Sequence, residues 1–169
     1  MELHEKILNN KEYLAIVKKI ENIRFITDGK WDWEHGIGHY MRVLGYVEKI
    51  LMQLGADDRT IGLGKVAALL HDIGLSKGEK VDHAIESSKL FINFIDISVI
   101  SEEELSILRQ AIYDHSKGND IKSLVGLALV LADKLDVTYH RTENSSIQDT
   151  WTTARSSWSG AWCSCRTTW

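Results

Sequence analysis

Apolar residues recur at helical spacing through most of this chain. In residues 2–24 they fall at Leu3, Ile7, Leu8, Leu14, Ile16, Val17, Ile20 and Ile23, the pattern of one or two amphipathic helices. Asp28-Gly29-Lys30 marks a turn. Trp31-Asp32-Trp33-Glu34 then leads into a helix over about residues 35–54, with Leu44, Val47 and Leu51 as its core stripe and Gly55 ending it. Asp57 or Asp58 caps the next helix, which runs to about His71 and ends near Gly74. A polar loop over 75–81 follows, and Asp82 caps a helix over about 83–95. Ser101 and Glu104 have capping-box spacing for a helix over about 101–115, with Ile107, Leu108 and Ala111 on its core side. Lys117-Gly118-Asn119 reads as a loop, and Asp120 as the cap of a last long helix to about Tyr139. Ile95 to Ile100 alternates weakly and reads as a connection between helices, and no segment reads as a strand. The fold predicted is all-α, a single bundle of five to seven helices around one core.

The 169 residues suffice for one domain with a sizeable core. That domain is expected over residues 1–144. A net charge of −4 argues against a broad nucleic-acid surface or a membrane surface, while leaving room for a local basic pocket for one phosphate. No apolar run reaches the roughly 18 residues of a membrane span, and the opening Met-Glu-Leu-His-Glu-Lys has no apolar signal core. The cytoplasm is therefore the expected location. The absence of proline suits a helical chain. Cys163 and Cys165 lie too close together and too late to staple a fold.

Residues 145–169 change vocabulary. They hold 11 Ser and Thr, 4 of the 6 Trp and both Cys, with no Leu, Val, Lys or Glu. Such a segment is either an aromatic lid or docking tail, or a non-native terminus, and its composition favours the second reading.

The chemistry lies in six scattered residues: His39, the adjacent His71-Asp72, His83, His115 and Asp133. All are nitrogen or oxygen metal ligands, set on or beside apolar helical stretches where an unpaired ionisable group is costly. His71 and Asp72 follow Ala67-Ala68-Leu69-Leu70 and precede Ile73-Gly74. On a continuous helix they diverge by about 100°. A helix end at Ile73-Gly74 lets both face one ion. Asp133 and His39 both read as mid-helix, Asp133 inside the most apolar run of the chain, Leu124 to Leu135. Imidazole with carboxylate suits Fe, Mn, Zn, Ni or Co, with Mg possible.

The order His … His-Asp … Asp, with Ala-Leu-Leu-His-Asp-Ile-Gly and Leu-Ala-Asp-Lys-Leu-Asp around its members, resembles the HD-domain superfamily of metal-dependent phosphohydrolases. His39-Tyr40-Met41-Arg42-Val43 is similar to that family's first His followed by Arg-Val. The resemblance covers about residues 35–140. It implies metal ligands at His39, His71, Asp72 and Asp133. Members with two metals carry two more histidines between the His-Asp pair and the last Asp, and His83 and His115 occupy those places. One or two divalent ions are thus expected, with Asp72 as the implied bridge. The Gly-Tyr-Pro motif of the cyclic-dinucleotide branch is missing, and so is the Glu-Asp pair that follows His-Asp in alarmone hydrolases. Both narrower branches are disfavoured.

The resemblance implies hydrolysis of a phosphate ester or anhydride in a small phosphorylated metabolite or nucleotide. Asp72 or Asp133 is expected to orient or deprotonate the attacking water. Arg42, Lys77 and Lys134 are candidate phosphate binders, with a surface or helix-pairing role as the rival for Arg42 and Lys134 and a solvated loop charge as the rival for Lys77. One alternative is a nucleotide-sensing metal-binding module without turnover. A haem-free iron oxygenase is a further rival that no residue favours. His35, one turn before His39, could join it as a metal pair or serve as a helix cap or support for a ligand. Trp31 and Trp33 could stack on a base or cover the edge of the core.

Overall fold

A computed structural model describes residues 2–22, 26–27, 30–31, 35–78, 82–116 and 121–136. Contacts divide the chain into two units: Met1–Ile23 with His35–Asp136, and Arg24–Glu34 with Val137–Trp169.

Among its described residues the first unit holds seven α-helices: α1 Leu3–Leu8, α2 Lys11–Glu21, α3 Ile37–Gln53, α4 Asp58–Leu70, α5 His83–Leu90, α6 Glu102–Asp114 and α7 Leu124–Leu135. The expected all-α bundle is therefore the fold, at the upper end of the predicted helix number. Local chemistry sets most boundaries. Asn10 divides the amphipathic N-terminal stretch, its side chain accepting from the backbone N–H of Glu12 and Tyr13. Asp57, Asp82 and Ser101 cap α4, α5 and α6, and Ser101 forms a capping box with Glu104. Gly55, with φ of 72°, ends α3 in a Schellman turn, where the N–H of Ala56 donates to Leu51 O and that of Gly55 to Met52 O.

Several expectations need correction. The helix expected to run to residue 95 stops at Leu90 and tightens into a 3-10 turn over Phe91–Phe94, with Phe91 fully buried. The last helix starts at Leu124, capped by Ser123, and ends at Leu135; the cap expected at Asp120 lies outside the described residues. The stretch expected as a polar loop from residue 75 begins as a buried 3-10 turn, Ile73–Lys77. Within it Ser76 Oγ donates to Ile73 O, and Lys19 Nζ donates to Ser76 O. In the second unit, Ile26–Thr27 (β1) and Lys30–Trp31 (β2) pair antiparallel, Ile26 opposite Trp31 and Thr27 opposite Lys30. These are strands where none was expected. The side chain of Trp31, the whole of Trp33 and the 145–169 tail lie outside the described residues.

In the first unit α3 packs on α4 and α7, α4 on α6 and α7, and α5 on α6 and on the 3-10 turn Ile73–Lys77. Leu51, Leu69, Leu70, Leu108 and Leu129 are fully buried where these helices meet, each contributing about 1.5–3 kcal/mol of transfer free energy. Tyr13 reaches in from α2 and donates its hydroxyl to Leu69 O in the last turn of α4, one of the carbonyls a helix end leaves unpaired. Burial pushes that phenol well above its ordinary range. The packing converges on the C-terminal end of α4, where the candidate ligands lie.

Candidate metal centre

The end of α4 decides the geometry. The helix stops at Leu70, His71 closes it, and Asp72 leaves it at φ −109° and ψ 6°. The divergence of a continuous helix is thereby undone, and His71 Nε2 lies 3.3 Å from Asp72 Oδ2. His39 enters from the first turn of α3, not its middle, because Gly36 is the N-cap and the helix begins only at Ile37. Asp133 comes from the last turn of α7. His83 opens α5 and His115 closes α6.

These residues form two sets that share Asp72. On one side His39 Nε2 lies 3.2 Å from His71 Nε2, 3.6 Å from Asp72 Oδ2 and 3.4 Å from Asp133 Oδ1. His71 Nε2 is 3.8 Å from Asp133 Oδ1. On the other side His83 Nε2 and His115 Nε2 are 3.2 Å apart, at 3.5 and 3.2 Å from Asp72 Oδ1. For bonds of about 2.0–2.1 Å, the edge of a tetrahedron of ligands is about 3.3–3.4 Å. The donor spacings centre on that value.

The protonation pattern tests whether an ion fits. His71 Nδ1 lies 2.8 Å from Ala68 O and His115 Nδ1 2.6 Å from Ile112 O. A carbonyl only accepts, so both Nδ1 atoms donate and both neutral rings keep a lone pair at Nε2. His39 Nδ1, 2.7 Å from the Asp136 carboxylate, follows the same logic. Lone pairs of His39 and His71 therefore face each other at 3.2 Å, beside two carboxylates. Such an arrangement calls for a cation between them, and a divalent metal supplies it. Burial pushes the His71 imidazole down, but Asp72 and Asp133 outweigh it and bring it up to about 9. Burial likewise pushes the Asp72 carboxyl up, and His71, His35 and His115 more than reverse that, leaving it well below the carboxylate range. His83 differs: burial, only partly offset by Asp72, keeps its imidazole below the ordinary value and so neutral for ligation.

Exposure separates the donors. His39 and His71 are fully buried, and Asp72 and His115 nearly so. Asp133 retains 22% of its side-chain surface and His83 33%, which marks the open side of the centre. Asp133 is thus less buried than its apolar helix suggested. Val125, Ala128, Leu129 and Ala132 of α7 face the core, while Leu124, Leu127, Leu131 and Leu135 are exposed.

Asp136 was not anticipated. It is fully buried at the end of α7, and its Oδ2 accepts from His39 Nδ1. Its two oxygens also take Arg42 Nε at 2.7 Å and Nη2 at 3.1 Å. The available signal was its place three residues after Asp133, on the same helix side. Arg42, a candidate phosphate binder, thus reaches the centre through Asp136 and His39. Burial pushes the Asp136 carboxyl up, but His39 and Arg42 together hold it at about 2. Lys77 and Lys134 are exposed, and neither pairs with a donor among the described residues. His35 Nδ1 lies 2.8 Å from Asp72 Oδ2.

The HD-domain family model matches residues 36–138, more than half of the chain. The chain therefore belongs to the HD-domain family. A crystal structure of a predicted HD superfamily hydrolase from an uncultured Thermotogales bacterium superposes with a TM-score of 0.58, at 23% identity, over 85% of this chain and 74% of that one. That likeness shows the fold. No curated protein matches the chain. Among the described residues, no helix is long and apolar enough to cross a membrane.

Proposed function

We propose that this protein is a metal-dependent phosphohydrolase that cleaves a phosphate ester or anhydride in a small nucleotide-like substrate of the cytoplasm. One observation carries the reading. The two oxygens of a single buried carboxylate, Asp72, face two separate histidine pairs, His39 with His71 and His83 with His115. A structural ion pair needs one such pair; a bridged dinuclear centre needs both. The all-imidazole and carboxylate donor set suits Fe, Mn, Zn, Ni or Co better than Mg. Ions bound there supply Lewis acidity for the phosphoryl oxygens and lower the pKa of water towards neutrality.

The chain's own residues divide the remaining work. Asp72 has both oxygens surrounded by imidazole nitrogens and is almost fully buried, so its part is to bridge. Asp133 is the partly exposed carboxylate and is placed to orient the attacking water and take its proton. Of the three candidate phosphate binders, Lys77 and Lys134 are exposed and are assigned to meet substrate phosphate. Arg42 has a smaller share in that task, because two of its N–H groups are committed to Asp136.

The test combines elemental analysis with phosphate release from a panel of nucleotides and dinucleotides in each metal. About two transition-metal ions per chain are expected, with turnover lost in His71→Ala and Asp72→Ala while helicity persists. Unchanged turnover in those variants sinks the proposal. Saturable nucleotide binding with no phosphate release in any metal favours a sensing module instead.

A further inference from the structure

We propose that His35 is a positioning residue of this centre, its Nδ1–H holding the Asp72 carboxylate at the angle that serves both histidine pairs. The inference rests on the metal-centre reading above. His35 Nδ1 and Asp72 Oδ2 are 2.8 Å apart. That is hydrogen-bond length, and it is shorter than the edge of about 3.3–3.4 Å expected between two ligands of one tetrahedral ion. His35 therefore supports a ligand and does not add one, although its ring nitrogen sits close enough to His39 and Asp72 to be grouped with them.

The need for such a support follows from the aspartate torsion. The terminal torsion of an aspartate is broad, so the carboxylate plane turns readily unless something holds it. Oδ2 has His39 and His71 on one side, and Oδ1 has His83 and His115 on the other. A small rotation misaligns the two sets together. An ionised carboxylate accepts at about four lone-pair positions, so Oδ2 can take a hydrogen bond and still ligate. His35 occupies that position from just ahead of α3. Its ring stands edge-on to His39, with centroids 5.6 Å apart and planes at 88°, and its side chain is only 16% exposed.

The two sets should not suffer equally. The first has Asp133 as a further carboxylate, whereas among the described residues the second is paired with Asp72 alone and includes the more exposed His83. Loss of the support falls mainly on the second ion.

Three variants and the wild type test this. His35→Ala removes the donor. His35→Asn restores it, because the amide nitrogen of Asn falls near the Nδ1 position. His35→Gln keeps more bulk but carries its amide further out. Metal-free full-length protein is titrated with Co²⁺, followed by visible absorption and by counting metal per chain, with circular dichroism as the check on folding. Two ions are expected in the wild type. The Ala and Gln variants should keep the first ion and bind the second about 10–100-fold more weakly, with Asn recovering most of that loss. Wild-type affinity in the Ala variant overturns the inference. So does equal weakening of both ions, or a Gln variant that performs as well as Asn, which would show that only bulk matters. Should the Ala variant fail to fold, the Asn and Gln comparison decides alone. A wild type that binds no metal overturns the metal-centre reading itself, and one that binds a single ion overturns its bridged form.

Discussion

Burial drives the His71 imidazole below its ordinary 6.5, yet Asp72 at 3.3 Å and Asp133 at 3.8 Å carry it to about 9. Raised in the fold, this group stabilises the metal-free chain fully below 6.5, and the contribution fades as pH climbs through about 9. Metal binding has the opposite dependence, since an ion needs the neutral ring. Between 6.5 and 9 the apparent metal affinity should therefore rise, by about tenfold per pH unit for one displaced proton. Calorimetric titration in buffers of different ionisation enthalpy measures the proton released. An affinity flat across that window contradicts the arrangement of donors. At this scale the sequence was informative where the chemistry was local. His71 and Asp72 announce themselves as adjacent ionisable groups at the end of an apolar helix. Asp136 and the partner of His35 did not, because their meaning lies in contacts across 97 and 37 residues of chain. The partner of Arg42 is hidden for the same reason, Asp136 being 94 residues away.

Helix ends bring the donors together, and one glycine allows a close approach between elements. A Cβ on Gly74 would lie 2.2 Å from His83 O, 2.6 Å from Ser87 N and 2.9 Å from Glu86 Cβ. Two of those three are backbone atoms of α5, so no side chain can swing aside. Gly74 N–H also donates to Ser87 Oγ at 2.8 Å, fastening the turn after Asp72 to the helix that carries His83. Gly74→Ala should push the first turn of α5 away from Asp72 and cost about 1–3 kcal/mol. The expected signature is a lower melting temperature together with loss of the second ion before the first, read by circular dichroism and metal counting. Full retention of both ions would mean that α5 yields without moving His83. The sequence marked this glycine only as a helix end. Capping residues such as Asp57, Asp82 and Ser101 were legible because they bond within one turn. The stop at Leu90 and the pairing of Ile26 with Trp31 were not legible. A two-residue strand is too short for alternation to show, and a 3-10 turn keeps nearly the same apolar spacing as an α-helix.

The six donors, with His35 and Asp136, all fall within His35–Asp136 of the first unit and arise from both ends of the bundle's helices. A metal bound there would tie the start of α3 to the ends of α4, α6 and α7 and to the start of α5, and so would favour the folded chain over the unfolded one. Mass action then adds about 2.7 kcal/mol when free metal is a hundredfold above its dissociation constant. Stripping the metal with a chelator should lower the melting temperature, and returning it should restore the difference. The family match over 36–138 covers the same stretch, and the unusual composition begins only after it. Removing residues 145–169 should therefore leave both the metal count and the metal-dependent rise in melting temperature unchanged. If the shortened chain loses an ion, the tail contributes to the centre and its tryptophans and cysteines acquire a role. If it keeps both ions and melts as before, the centre belongs to the HD-domain segment alone, and failure to turn over a given nucleotide then bears on the choice of substrate and not on the tail.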